Sequence, residues 1–157
     1  MDTLQYIADE FGIDNLNRRP PIVIPDIDRE IMAQTLCKLN FTIGAEIGVA
    51  QGHHAELLCQ KNPQLKLYCI DIWQPYSGYN EYVGRIAKYY RAAKERLAKY
   101  NCELIKKFSE DAAKGFLDNS LDFVYIDGAH DFRNVAIDLC DWSKKVRVGG
   151  IVFGHDY

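Results

Sequence analysis

The sequence predicts an α/β fold, a doubly wound parallel sheet with helices on both faces. Three observations predict it. Short apolar runs alternate with amphipathic segments along most of the 157 residues. A glycine-rich stretch, Gly44-Ala45-Glu46-Ile47-Gly48-Val49-Ala50-Gln51-Gly52, contains the first of these runs and its exit. Polar and acidic residues then fall at the carboxyl ends of the runs: Glu46, Asp71, Ser109, Asp127 and Asp156.

Residues 1–24 are the least regular and form an N-terminal arm ahead of one domain, residues 25–157. Leu4, Ile7 and Phe11 have helical spacing within the arm, and Arg18-Arg19-Pro20-Pro21 reads as extended chain. Pro25-Asp26 opens a helix whose apolar positions Ile27, Ile31, Thr35 and Leu39 recur at helical spacing. The first strand is Ile43–Ile47. A helix follows the glycine stretch from His53 to Gln60, and Asn62-Pro63 stops it. Lys66–Ile70 is the second strand. From Glu81 to Tyr100, Val83, Ile86, Tyr90, Ala93 and Leu97 define one long amphipathic helix, with Glu95/Lys99 as a pair on its wet side. Cys102–Lys106 is a strand and Asp111–Leu117 a short helix. Leu121–Ile126 is a strand running into Asp127-Gly128-Ala129-His130. Asn134–Lys145 is a helix. Gly149-Gly150 turns the chain into the last strand, Ile151–Gly154.

Ligands of such sheets bind outside the carboxyl ends of the strands, where the strand order reverses. Glycines at 48 and 52 let backbone approach a ligand without a Cβ in the way. An acid about 20 residues further on, here Asp71, can accept hydrogen bonds from ribose hydroxyls. The Gly48-x-x-x-Gly52 spacing differs from the G-x-G-x-x-G of pyrophosphate-binding loops. Glu46 at the strand end also disfavours a pyrophosphate and suits a cofactor carrying positive charge. S-adenosylmethionine, with a sulfonium and an ammonium, meets that requirement. A tight structural turn would use the same glycines, and each acid taken alone would also serve as a helix cap.

Composition narrows the partners. The net charge of −3 gives no support for nucleic-acid or anionic-membrane binding. No apolar run reaches the roughly 18 residues of a membrane span, and Met1-Asp2-Thr3-Leu4-Gln5 lacks the pattern of a signal peptide. The five cysteines are odd in number and form no C-x-x-C, as expected of free thiols in a reducing cytoplasm. A Tyr-x-x-x-Lys search for a nicotinamide oxidoreductase finds only Tyr90/Lys94, within a helix whose apolar face includes Tyr90.

Five stretches carry a resemblance: Gly44–Gly52, Cys69-Ile-Asp-Ile-Trp73, Lys107-Phe-Ser-Glu-Asp111, Phe123-Val-Tyr-Ile-Asp-Gly-Ala-His130 and Gly149-Gly-Ile-Val-Phe-Gly-His-Asp-Tyr157. Across residues 42–157 the chain resembles the class I S-adenosylmethionine-dependent methyltransferases. More narrowly, it resembles the metal-dependent O-methyltransferases of the catechol and macrocin (macrolide sugar) type. Ala50 stands where many members have a third glycine. The resemblance implies a Rossmann-like sheet and a role for each matching residue. Glu46, Gly48 and Gly52 would line the methionine and ribose part of the cofactor. Asp71 would hold the ribose hydroxyls, Trp73 would pack near the adenosine, and Ser109 and Glu110 would contact adenine. Asp127 and Asp156 would bind a divalent metal, magnesium in most relatives, and His130 would be the general base.

The expected reaction is methylation of a hydroxyl on a sugar or other small molecule. An alcohol is a poor nucleophile, and a hard cation held by carboxylates with an imidazole nearby supplies the activation it needs. His53 and His54 open a helix beside the glycine stretch and are read as solvent-facing or next to the cofactor. Tyr76, Tyr79 and Tyr82 are candidates for an aromatic wall. Relatives continue past Tyr157 with a helix and two more strands, so the fold is expected to lack its last strands. That implies an open apolar edge at Ile151-Val152-Phe153, self-association as one remedy, and a cofactor-binding module dependent on a partner as the alternative function.

Overall fold

The computed structural model describes residues 2–16, 21–75 and 84–155. In chain order the elements are α1 (Thr3–Glu10), α2 (Arg29–Lys38), β1 (Ile43–Ile47), α3 (His53–Lys61), β2 (Lys66–Asp71), α4 (Ile86–Leu97), β3 (Cys102–Lys106), α5 (Ser109–Ala113), β4 (Leu121–Ile126), α6 (Phe132–Ser143) and β5 (Val146–Gly154). The strands form one parallel sheet in the order β3-β2-β1-β4-β5. The chain builds outward from β1 to β3, then returns to lay β4 on the other side of β1. The reversal of strand order therefore lies between the carboxyl ends of β1 and β4.

Alternation along the strands sorts side chains into two cores. On one face Phe123, Leu67 and Cys69 pack against Ala33 and Leu36 of α2, Ala55 and Leu58 of α3, and Ala93 and Leu97 of α4. On the other face Ala45, Ile47, Val124 and Ile126 pack against Ala112 and Ala113 of α5 and Trp142 of α6. Both faces of β4 are buried along its whole length, as expected of an inner parallel strand. Among the described residues, no helix is long and apolar enough to cross a membrane.

β1, β3 and β4 have the bounds read from the sequence. Several other elements differ. α1 forms where Leu4 and Ile7 predict it, and Thr3 Oγ1 donates to Gly149 O of β5 at 2.5 Å. α2 starts at Arg29 rather than at Pro25-Asp26. Asp26 takes a positive φ of 59° in a turn, and the Asp28 side chain caps the helix by accepting the Ile31 amide at 2.8 Å. α4 begins only at Ile86, and the stretch 76–83 that would extend it, with Tyr76, Tyr79, Glu81 and Tyr82, lies outside the described residues. Lys99 pairs with Glu56 of α3 at 3.5 Å instead of Glu95. α5 is earlier and shorter than the spacing suggests, leaving Leu117 exposed.

β5 shows the largest difference. It begins at Val146, and Gly149-Gly150 lies inside it as a bulge instead of before it as a turn. Leu121 pairs with Val146 and Phe123 with Ile151, so β5 uses more chain than β4 over the same rise. Gly149 has φ 77°, and a Cβ on Gly150 would stand 2.4 Å from Asp122 O. All five cysteines are free thiols; Cys59 and Cys102 face each other across α3 and β3 with sulfurs 3.4 Å apart.

Candidate active site

A cavity of about 520 Å³ opens at the carboxyl ends of the strands, over the point where the strand order reverses. The turn after β1 forms one side. Gly48 has φ 87°, and its amide donates to Ile70 O at 2.9 Å. A Cβ at Gly48 would stand 2.1 Å from Asp127 O, so the turn passes directly against the end of β4. Gly52 ends the turn at φ 78° and precedes α3, but it does not line the cavity.

Asp71 holds this turn in place. Its Oδ2 accepts the Val49 and Ala50 amides at 3.1 and 2.8 Å, and its Oδ1 accepts the Trp73 amide at 2.8 Å. Burial pushes the Asp71 carboxyl up, against the opposing pull of those amides. Trp73 is itself at φ 39°, donates from Nε1 to Ala50 O at 2.8 Å, and leans on Tyr90. It is buried, so it contributes a wall held by the turn.

The floor is Glu46 at the end of β1, with only 2% of its surface exposed. His54, from the first turn of α3, places Nδ1 3.6 Å from Glu46 Oε2. The His54 ring packs on Tyr125 with centroids 4.0 Å apart. Burial pushes the Glu46 carboxyl up, and His54 pulls it back down.

Asp127 follows β4 and gathers four polar neighbours, one of them the Arg29 guanidinium. Its Oδ2 accepts from Arg29 Nη2 at 3.0 Å and from the Tyr125 hydroxyl at 3.1 Å. Its Oδ1 lies 3.9 Å from both His130 Nε2 and His155 Nδ1. Burial, followed by the charge on Asp127, pushes the Tyr125 hydroxyl up, so it stays a donor. The last side is built by α5 and α6: Trp142 Nε1 donates to Ser109 Oγ at 2.7 Å, and Asp138 is buried beside Ser109 with its carboxyl pushed up by desolvation. Glu110 borders the same end, exposed in the first turn of α5.

The residues singled out in the sequence are thus brought to one place: Glu46, Gly48, Asp71, Trp73, Ser109, Glu110, Asp127 and His130 all border the cavity. Asp156 lies outside the described residues. Among the described residues, no group of three His, Cys, Asp or Glu side chains is arranged to hold a metal ion. One carboxylate flanked by imidazoles and already paired with Arg29 is not the oxygen-rich set that magnesium prefers. On the described residues alone, a magnesium site does not fit.

Arg29 and Asp138 line the cavity without any sequence signal for a role there. Arg29 comes from a helix 98 positions before Asp127, a separation no local spacing reveals. His54 was visible as a neighbour of the glycine stretch, but its burial against Glu46 is a tertiary fact.

The model of a methyltransferase domain matches residues 45–157, more than half of the chain. The chain belongs to this methyltransferase-domain family. Solved structures share the fold of the domain. An O-methyltransferase of Bacillus cereus, in complex with SAH (S-adenosylhomocysteine), superimposes with a TM-score of 0.62 at 17% identity, covering 98% of this chain and 66% of that one. A protein of Staphylococcus aureus assigned as a caffeoyl-CoA O-methyltransferase gives 0.63 at 17% identity, covering 97% and 72%. An rRNA methylase of Streptococcus thermophilus gives 0.58 at 14% identity, covering 83% and 74%. The chain thus spans about two thirds to three quarters of the length of these proteins. No curated protein matches the sequence.

Proposed function

We propose that the chain is an S-adenosylmethionine-dependent O-methyltransferase acting on a hydroxyl of a sugar or other small molecule. One observation carries the reading: the cavity at the strand-order reversal joins the Asp71-pinned glycine turn and buried Glu46 to Asp127 and His130 at the end of β4. The turn and Glu46 bind the cofactor, whose positive charge suits an acidic floor. His130, half exposed at the mouth, takes the proton from the acceptor hydroxyl. The adjacent Asp127 carboxylate stabilises the imidazolium that results. The likeness to O-methyltransferases is a likeness of fold, and it supports this choice of acceptor without naming the substrate.

Metal assistance is the second part of the proposal. It requires Asp156 to join Asp127, since the described residues do not suffice. A divalent cation held there would lower the pKa of the acceptor hydroxyl.

A second reading, a cofactor-binding module completed by a partner, is favoured by the Arg29–Asp127 ion pair, which already satisfies the carboxylate the reaction needs. Formation of S-adenosylhomocysteine, followed across a panel of hydroxylated acceptors with magnesium and then with excess chelator, tests all three statements. Turnover lost in chelator supports metal assistance, and full turnover there removes it. Cofactor binding with no turnover on any acceptor selects the module. Absence of cofactor binding overturns the reading altogether.

A further inference from the structure

We propose that His54 is the positioning residue for Glu46, holding that buried side chain towards the ammonium of the cofactor's amino-acid end. The inference rests on the reading of the cavity as an S-adenosylmethionine site.

Glu46 and His54 are 2% and 6% exposed, yet Glu46 Oε2 and both ring nitrogens of His54 have no hydrogen-bond partner among the described residues. Buried polar atoms in folded proteins are nearly always partnered. Two ionisable side chains left this way, 3.6 Å apart on the lining of a cavity, mark a site that a ligand completes. A small closure turns the 3.6 Å approach into a charge-assisted hydrogen bond.

His54 has little freedom to do anything else. On one side is Glu46; on the other is the ring of Tyr125, the residue directly opposite Glu46 in the β1–β4 register. The first turn of α3 is also gripped from α4. Arg96 donates from Nε to Gln51 O at 3.0 Å and from Nη1 to Glu56 at 2.8 Å. The imidazole is therefore presented to the carboxylate by a fixed backbone.

The chemistry then assigns the ligand group. A lone carboxyl as buried as Glu46 favours its neutral form and offers little to a cation. Three ionisable groups face it: His54 from α3, Asp127 from the end of β4 and Arg29 from α2. Asp127 favours the neutral acid. Among them His54 has the largest opposing influence, so its approach favours the carboxylate form. That carboxylate answers an ammonium. The same floor repels a pyrophosphate.

Calorimetry with two ligands separates this role from a structural one. S-adenosylhomocysteine carries the amino-acid end, and 5′-methylthioadenosine keeps the nucleoside and thioether without it. His54→Leu is expected to weaken the first ligand on the order of tenfold while moving the second by less than about twofold. His54→Gln, which keeps a donor, should recover part of the loss. Glu46→Gln should show the same selective loss, and the double variant Glu46→Gln/His54→Leu should be no worse than Glu46→Gln alone. Equal losses for both ligands, or additive losses in the double variant, would overturn the role of His54. A wild-type chain that binds neither ligand would instead overturn the cofactor reading itself.

Discussion

Asp71 Oδ2 accepts the Ala50 amide at 2.8 Å, which ties the carboxyl end of β2 to the turn after β1. The same carboxylate also takes the Val49 and Trp73 amides, so it organises the cavity wall before any ligand arrives. Asp71→Ala is therefore expected to cost about 1–3 kcal/mol of folding stability by leaving backbone donors unpaired. Cofactor affinity should fall with it. Urea denaturation and calorimetry on one preparation check this. Lost affinity at unchanged stability would mean that Asp71 acts on the ligand alone.

The glycines at 48 and 52 should respond differently to alanine. At Gly48 the added Cβ meets backbone, 2.1 Å from Asp127 O, and neither strand end can yield. A loss of about 3 kcal/mol or more is expected, in the range of severe core disruption. At Gly52 the nearest atom is the flexible end of Leu97 at 3.2 Å. There the cost is the positive φ, about 1–2 kcal/mol. Denaturant midpoints of the two variants give the order.

Arg29→Ala should change stability by less than about 1 kcal/mol, because the guanidinium is 45% exposed and solvent screens the pair. Its larger effect is on cations. With the guanidinium gone, Asp127 offers a stronger negative field, and magnesium affinity should rise on the order of tenfold if Asp127 is a ligand. Titration of magnesium into the wild type and the variant reads this directly. No change in either would detach Asp127 from metal binding.

Asp138 predicts a pH signature. Its folded carboxyl titrates above the ordinary value of 3.8 because it is desolvated. The native state therefore keeps a proton that the unfolded chain releases. Its contribution to stability is complete below the unfolded value and is lost as pH rises through the raised folded one. Asp138→Asn stays neutral, so its melting temperature should gain on the wild type as pH climbs from near 4 towards neutrality. Glu46 and Asp71 shift in the same direction, while Glu56 and Asp111 shift the opposite way through ion pairs. The difference between variant and wild type, rather than either curve alone, isolates Asp138.

The inner sheet was legible in the sequence because its strands are short apolar runs with polar ends, and both faces of β4 must be apolar. β5 was cut short because Gly149-Gly150 reads as a turn, whereas pairing with β4 absorbs those residues as a bulge. The start of α2 was misplaced because Pro25-Asp26 and Asp28 are both plausible openings, and only the left-handed backbone of Asp26 decides between them. In the site, strand periodicity located Glu46, Asp71 and Asp127, since each ends an apolar run. Arg29 and Asp138 reach the cavity from helices whose docking is set by the cores, so no spacing announces them. Asp71 borders the cavity, but its grip on the turn depends on backbone amides, which a sequence does not display.

The bond from Thr3 to Gly149 joins residues 146 apart. It imposes an order on folding. β1 has β2 for a neighbour early, but its other side stays open until β4 is made, and α1 has no strand to dock on until β5 is in place. On the ribosome α1 emerges close to α2, whose Lys38 pairs with its Glu10, but long before its strand partner β5 exists. Its docking should be among the last events of folding, and a probe on α1 would report completion of the sheet rather than its beginning.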